Sequence, residues 1–293
     1  MNPSKLFLLT AVAMIAFAGN SLLCRLALKE TRIDPASFTF VRIVSGAAML
    51  WLIFMLRKPK GVAAAVHLRN AAAGPLQGNW PSALALFAYA AAFSFAYVSL
   101  SAATGALLLF GAVQATMILW GIGRGEQLRP RQLLGLVLAL CGLVALLLPG
   151  ISAPPFAGSI LMLGAGIAWG VYSLRGRTAG EPTAATTGNF LRAVPFAALL
   201  ALAFLSKVQL DRAGLGYALL SGAVASGVGY VIWYTVLPAL KAASAATVQL
   251  SVPVLTAAGG ILLLGEPLTL RFFLSSIAVL GGIALVVLNR SRR

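Results

Sequence analysis

The chain has 293 residues, of which 60% are hydrophobic and only 10% charged, and it carries a formal net charge of +16. A soluble domain carries roughly a quarter charged residues, so this composition excludes an ordinary soluble globular protein. The basic residues lie between apolar runs rather than on one face or in a tail, which argues against a nucleic-acid partner.

Apolar stretches of about twenty residues recur along the chain, and each is long enough to cross a hydrocarbon core roughly 30 Å thick. The short segments of alternating polarity that a β-barrel needs are absent. We therefore predict an all-α, polytopic membrane protein. The ten predicted transmembrane helices cover about 6–25, 36–56, 80–99, 103–123, 131–148, 156–175, 184–206, 214–236, 242–264 and 270–288. No small-residue cleavage site follows the first helix, so we expect it to be retained.

Lysine and arginine residues orient these helices, because cytoplasmic loops carry an excess of them. With a cytoplasmic N-terminus, fourteen fall in cytoplasmic segments, six in outer segments, and Arg42 and Arg192 inside helices. We therefore expect a multi-pass protein in this orientation. Both termini and the long basic loop at 57–79 should lie in the cytoplasm.

A repeat at an offset of 140 residues divides the chain. The segment GEQLRPR at 125–131 returns as GEPLTLR at 265–271, and similar apolar runs follow both copies. We predict two five-helix repeats, 1–148 and 149–293, and because five is odd the second repeat is inverted in the membrane. The two copies then face opposite sides, which favours an interhelical turn over a catalytic motif: glycine ends one helix, and Glu and Pro favour the start of the next.

The paired GE-x-L turns and the stretch PVLTAAGGILLLGEPLTL at 253–270 resemble the EamA family of the drug/metabolite transporter superfamily. The stretch YTVLPALKAASAATVQLSVPVLT at 234–256 is similar to the YddG-type aromatic amino-acid exporters within that family. The resemblance covers nearly the whole chain. It implies a ten-helix bundle around a central cavity that moves small organic solutes across the inner membrane.

Acidic side chains avoid the predicted helix interiors. The six acids are Glu30, Asp34, Glu126, Glu181, Asp211 and Glu266, all in loops or at helix ends. This distribution argues against a proton relay, a metal site or a membrane-embedded hydrolase. The sequence also lacks the GxxxxGK[ST] loop of an ATPase, so neither a cofactor nor an ATPase subunit is implied.

Two arginines occupy equivalent positions inside helices two and seven, Arg42 and Arg192. Each could meet a substrate carboxylate in a cavity, or each could serve the scaffold by snorkelling or by satisfying helix-end carbonyls. A duplicated pair is more natural in the scaffold. We therefore assign both a structural or gating role and keep the cavity role as the alternative.

Aromatic and amide side chains predict where a substrate binds. Tyr89 and Phe93 share one face of helix three, and the large amides of Asn20 and Gln249 are penalised in hydrocarbon unless they are bonded. The candidate binding residues are Asn20, Tyr89, Phe93, Trp169, Tyr230, Ser244 and Gln249. Core packing of the aromatic rings and hydrogen bonding between helices are the alternatives.

Helices nine and four contain residues that weaken a helix at matching places. Pro253 removes a backbone hydrogen bond and kinks helix nine, and Gly111 occupies the corresponding part of helix four. We expect both residues to belong to gates.

Together these features predict a secondary transporter that exports amino acids by alternating access, with aromatic and other apolar amino acids favoured. We expect a uniporter that works down the solute gradient. The alternative is a multidrug or other small-metabolite exporter of the same superfamily, with or without proton coupling. A membrane enzyme would need paired acids, a histidine cluster or a nucleophile–base pair, and the sequence offers none. The expected partners are the small-molecule substrate and membrane lipid.

Overall fold

The computed structural model describes residues 2–56, 77–125, 129–148, 153–176, 181–240 and 248–290. Within these ranges the chain forms ten helices and no strand. The helices are α1 (Pro3–Glu30), α2 (Pro35–Leu56), α3 (Trp80–Tyr97), α4 (Ala102–Gly123), α5 (Pro130–Leu147), α6 (Phe156–Gly176), α7 (Pro182–Ala203), α8 (Arg212–Val236), α9 (Ser251–Leu264) and α10 (Leu270–Arg290). Short 3₁₀ turns follow α7 at Leu205–Lys207 and α8 at Leu237–Ala239.

Eight of these helices, α1 to α8, are long and apolar enough to cross a membrane, and shorter apolar stretches are found in α9 (Ser251–Leu264) and in Leu270–Val286 of α10. Large apolar side chains cover the outside of the bundle, among them Phe7, Phe156 and Leu262, which are 77%, 76% and 82% exposed. A surface of this kind needs lipid rather than water as its solvent. The chain is therefore a multi-pass helical membrane protein.

Short polar residues begin several of the helices. The side chain of Asp34 accepts hydrogen bonds from the N–H groups of Ala36 and Ser37 at the start of α2, at 3.0 and 2.9 Å. The side chain of Asn79 accepts one from the N–H of Ser82 at the start of α3, at 2.9 Å. Such caps satisfy N–H groups that have no partner within the helix.

The GE turns behave as the sequence predicts in one respect and differ in another. Gly125 and Gly265 have φ angles of 88° and 60°, a region that glycine adopts without strain. Gly265 ends α9, which confirms that glycine closes this helix. Glu266, however, does not begin α10, which starts at Leu270; its side chain is buried instead.

Two predicted helices differ from the structure by more than three residues at one end. The first was expected to end at 25, but α1 continues to Glu30, so Arg25 is helical. The ninth was expected over 242–264, but a turn at Leu250 interrupts it before α9 starts at Ser251. Pro253 explains the interruption, because it has no N–H to bond the carbonyl four residues earlier and its ring clashes with that carbonyl.

The middle of α8 is not a regular α-helix. Residues Leu220–Val228 form a π-helix between the α-helical parts Arg212–Leu219 and Gly229–Val236, where the sequence predicted one continuous helix. This π segment packs against α1 and α2. Its glycines allow the close approach: a Cβ on Gly222 would clash with the backbone carbonyl of Arg42.

Helices of the two halves pack against each other throughout the bundle. Helix α1 packs on α8 and α9, α6 packs on α3 and α4, α2 packs on α7, and α5 packs on α10. The α5–α10 contact is close because Gly135 and Gly282 face each other, and a Cβ on either would clash with the carbonyl oxygen of the other. The packing of α1, α3, α4, α6 and α8 leaves a cavity between them.

Candidate functional site

The five helices leave about 350 Å³ of space free of protein atoms, part of it open to the outside. The lining residues are Phe17, Asn20, Ser21, Tyr89, Phe93, Leu109, Phe110, Trp169, Ala225 and Tyr230. The wall is therefore mostly aromatic and apolar, with a few amide and hydroxyl groups.

The structure brings most of the sequence-derived candidates to this one cavity. The five that line it are Asn20, Tyr89, Phe93, Trp169 and Tyr230. Gln249 is not among the lining residues, and Ser244 lies outside the described residues. Sequence reasoning missed the apolar part of the wall, such as Leu109 and Ala225. Apolar residues are common in every membrane helix, so nothing in the sequence marks these positions.

Trp169 of α6 forms the middle of the aromatic wall. Its ring centroid lies 4.8 Å from that of Tyr89 and 5.1 Å from that of Tyr230. Phe93 lies 5.4 Å from Tyr89, and Phe17 lies 5.9 Å from Tyr230. The rings thus form a continuous surface from α3 through α6 and α8 to α1, which can receive a flat or apolar group by stacking and edge contacts.

A chain of buried hydrogen bonds borders this wall. The hydroxyl of Ser221, in the π segment, donates to Asn20 Oδ1 at 2.7 Å. Asn20 Nδ2 donates to the Tyr89 hydroxyl oxygen at 3.3 Å, and Arg42 Nη2 donates to the same oxygen at 3.0 Å. The π segment therefore positions Ser221 to hold Asn20, a contact that the predicted regular helix did not suggest.

Arg42 carries a buried charge beside the cavity. Its side chain is only 2% exposed, and its guanidinium carbon lies 4.9 Å from the ring centre of Phe93 and 5.1 Å from that of Tyr89. Among the described residues, Arg42 Nη1 has no hydrogen-bond partner and no carboxylate forms a salt bridge with Arg42. A buried charge without a counter-charge is costly, and such groups in membrane proteins mark functional sites.

Arg192, the repeat equivalent of Arg42, has quite different contacts. Its Nη1 donates to the backbone oxygens of Gly188, at 3.0 Å, and Gln77, at 3.2 Å. It thereby fastens α7 to the segment that precedes α3, which is the scaffold role. Arg42 has no such carbonyl partners for Nη1, so the cavity role stays open for it alone.

The two residues proposed for gates lie in different settings. Pro253 is buried in the first turn of α9, directly after the turn at Leu250. Gly111 lies within α4, which continues unbroken through it, and lines a second, apolar space of about 360 Å³ between α4, α5 and α10. Their gating roles stay predictions.

A buried ion pair joins helix α1 to two connections at one end of the bundle. Arg25 Nε and Glu266 Oε1 are 3.0 Å apart, with side chains 12% and 7% exposed. Arg25 Nη1 also donates to the carbonyls of Tyr97 and Val98, at 2.8 and 3.1 Å, and Glu266 Oε2 accepts from the N–H of Ala102 at 2.7 Å. The pair thus links α1, the α3–α4 connection and the α9–α10 turn.

Comparisons with known proteins agree with this architecture. The model of the EamA-like transporter family matches residues 4–148 and again residues 156–288. The chain is 58% identical over 293 residues to an uncharacterized protein of Pseudomonas aeruginosa, covering 100% of this chain and 98% of that one. It is 34% identical over 149 residues to the threonine/homoserine exporter RhtA of Escherichia coli K12, covering 48% and 49% of the two chains. A protein crystal structure superimposes with a TM-score of 0.62 over 99% of both chains, and its 19% identity limits that likeness to the fold.

Proposed function

The chain belongs to the EamA-like transporter family, and from this premise we infer that it is a secondary transporter that exports amino acids, with aromatic and other apolar ones favoured. The aromatic cavity carries the proposal. Trp169, Tyr89 and Tyr230 line a space of about 350 Å³ together with Asn20. An apolar or aromatic side chain fits the rings, and the polar backbone of an amino acid fits the hydrogen-bonding groups.

Alternating access between two inverted five-helix repeats is the proposed mechanism. The family model matches the chain twice, at 4–148 and 156–288, which supports two repeats. The packing also supports two repeats. If α1–α5 correspond in order to α6–α10, the contact of α1 with α8 corresponds to that of α6 with α3, and both contacts are present. The contact of α1 with α9 likewise corresponds to that of α6 with α4. An exchange of conformations between the two repeats can expose one central site to either side of the membrane.

The proposed location is the bacterial inner membrane, with both termini in the cytoplasm. The excess of lysine and arginine in the segments assigned to the cytoplasm supports this orientation. In this orientation the Arg25–Glu266 pair lies on the outer side of the bundle.

Export of amino acids also draws support from a relative. RhtA of Escherichia coli is a threonine/homoserine exporter by name, and it is similar to about half of this chain. The preference for aromatic solutes rests on the cavity wall and on the sequence resemblance to YddG-type exporters. Multidrug or other metabolite export is the competing outcome, which a broad competition screen on purified protein in liposomes would reveal.

Replacing Trp169 by alanine tests the aromatic site. We expect the apparent affinity for phenylalanine to fall about 2- to 10-fold, because one ring contact contributes about 0.5–1.5 kcal/mol beyond burial. Counterflow of labelled phenylalanine in liposomes measures the affinity, after size-exclusion chromatography has established that the variant folds. Trp120→Ala is the control, because this tryptophan is 52% exposed on the outside of the bundle. Unchanged affinity in a folded Trp169→Ala protein would assign the residue to packing alone.

The distribution of acids predicts facilitated diffusion without proton coupling. A coupled exporter must bind and release a proton in each cycle, usually on Asp, Glu or His, and arginine stays charged throughout the relevant pH range. We expect a zwitterionic amino acid to equilibrate across liposomes and not to accumulate when a pH gradient is imposed. Uphill accumulation that an uncoupler abolishes would contradict this prediction and would implicate Glu126 or Glu266.

A further inference from the structure

Two hydrogen-bond donors beside the cavity, the Tyr89 hydroxyl and Arg42 Nη1, have no acceptor among the described residues. The Tyr89 hydroxyl oxygen accepts from both Asn20 Nδ2 and Arg42 Nη2, at 3.3 and 3.0 Å. A hydroxyl has two acceptor sites and one proton, so with both sites used the Tyr89 proton remains available to the cavity that Tyr89 lines. Arg42 is a donor only, and its Nη1 is buried without an acceptor. The group missing from this site is an acceptor.

The missing acceptor must also carry negative charge, because the described carboxylates are all used elsewhere. Asp34, Glu181 and Asp211 cap the starts of α2, α7 and α8. Glu30 and Glu266 pair with a lysine and an arginine of α1. No acid among the described residues therefore balances the buried guanidinium, and none lines the cavity where an ammonium group could bind.

We propose that Arg42 and the Tyr89 hydroxyl bind the carboxylate of the substrate, and that the site prefers aryl monocarboxylates to the corresponding amino acids. This inference rests on the proposed function, since it assigns the substrate charge at the same cavity. The two donors match the two oxygens of a carboxylate, and the rings of Trp169 and Tyr230 receive the apolar part. The ammonium of an amino acid meets ring faces and the neutral oxygens of Asn20, Ser21 and Tyr230 in this site, and an ammonium without an anionic partner is costly to desolvate.

The charge of such a substrate determines what drives its export. A monocarboxylate anion that leaves the cell alone carries one negative charge outwards, so an inside-negative membrane potential favours the step. A potential of 100 mV corresponds to about a 50-fold concentration ratio for one charge. Export of this anion therefore needs no coupling proton, in agreement with the lack of acids among the described residues that line the cavity.

Three solutes that share a phenyl ring test the preference on wild-type protein. They are 3-phenylpropionate, which has only the carboxylate, phenylalanine, which has both charges, and phenethylamine, which has only the amine. We expect 3-phenylpropionate to compete for binding to the purified protein about 10-fold more strongly than phenylalanine, and phenethylamine to be the weakest. Equal or stronger binding of phenylalanine would overturn the inference while leaving amino-acid export intact. If none of the three competes, the proposed function itself fails.

Substitutions of Arg42 test whether this residue binds the carboxylate. Arg42→Gln should weaken the affinity for 3-phenylpropionate at least 10-fold and leave the affinity for phenethylamine unchanged. Arg42→Lys should retain part of the affinity for 3-phenylpropionate. Arg192→Gln is the matched control, because within the described part of the chain this repeat equivalent bonds backbone carbonyls alone. This variant should keep the wild-type order of the three affinities. If Arg42→Gln does not fold, Tyr89→Phe keeps the ring and should still weaken 3-phenylpropionate several-fold. If a folded Arg42→Gln or Tyr89→Phe protein keeps the wild-type affinity for 3-phenylpropionate, Arg42 and Tyr89 do not bind the carboxylate.

Discussion

Replacing Glu266 by glutamine is expected to lower the free energy of unfolding by about 3 kcal/mol, the lower end of the cost of removing one partner from a buried ion pair. The change removes the charge but keeps an oxygen that can accept from the N–H of Ala102. Arg25, only 12% exposed, is left with the backbone carbonyls of Tyr97 and Val98 and no counter-charge. Thermal or chemical unfolding in detergent micelles measures the loss.

The chain supplies a matched control for this prediction. Lys29 and Glu30 form a second ion pair at 3.3 Å, but their side chains are 37% and 52% exposed. An exposed pair contributes at most about 1 kcal/mol, so Glu30→Gln should have little effect. The double variant R25Q/E266Q should recover much of the stability, because it leaves no unpaired charge. If Glu266→Gln and Glu30→Gln lower the free energy of unfolding equally, the buried Arg25–Glu266 pair does not have the stabilising role expected of it.

The sequence predicted the parts of the site that depend on local periodicity. Tyr89 and Phe93 are four residues apart, so they share a helix face whatever the helix packs against. Local rules also predicted Gly265 as the end of α9, because the left-handed conformation there suits glycine. Pro253 likewise predicted a distortion of helix nine, since a proline breaks the same backbone hydrogen bond in any fold; the sequence predicted a kink, and the structure has a turn at Leu250 instead.

Other features depend on residues far apart in the chain, and the sequence did not predict them. Arg42 and Arg192 occupy equivalent positions in the repeats, but their hydrogen-bond partners differ. Arg42 donates to the hydroxyl of Tyr89, whereas Arg192 donates to the backbone carbonyls of Gly188 and Gln77. The partner of Glu266 is 241 residues away along the chain. Pairs of this kind follow from tertiary packing, which a single sequence does not display.

The π segment is a third feature of this kind. The stretch LSGAVASGV is a plausible α-helix by composition, and a π-helix differs from it only in which carbonyl each N–H bonds. The π segment packs against α1 and α2, and within it the hydroxyl of Ser221 donates a hydrogen bond to Asn20 of α1. Small residues in a membrane helix signal close packing, but they do not specify the π geometry.

Gly222 is the residue on which this close packing depends. A Cβ on Gly222 would clash with the hydroxyl of Ser45 and the carbonyl oxygen of Arg42, and would lie 2.9 Å from the carbonyl carbon of Arg42. The serine side chain can rotate away, but a backbone carbonyl inside α2 cannot move without the helix. Gly46, on the facing side of α2, would meet the backbone oxygen of Gly222 at 3.2 Å if it had a Cβ. The two helices therefore touch through backbone atoms.

Gly222→Ala should separate α2 from the π segment and so displace Arg42 from Tyr89 and Ser221 from Asn20. We expect a loss of about 3 kcal/mol in the free energy of unfolding, the upper end of the usual cost of overpacking, together with loss of counterflow activity. Gly216→Ala is the matched control in the same helix, because a Cβ there meets nothing within 4 Å. Alanine is the better helix former by about 1 kcal/mol, so this control should be neutral or slightly stabilising. Wild-type transport and stability in Gly222→Ala would mean that the backbone contact between α2 and α8 does not position the buried arginine.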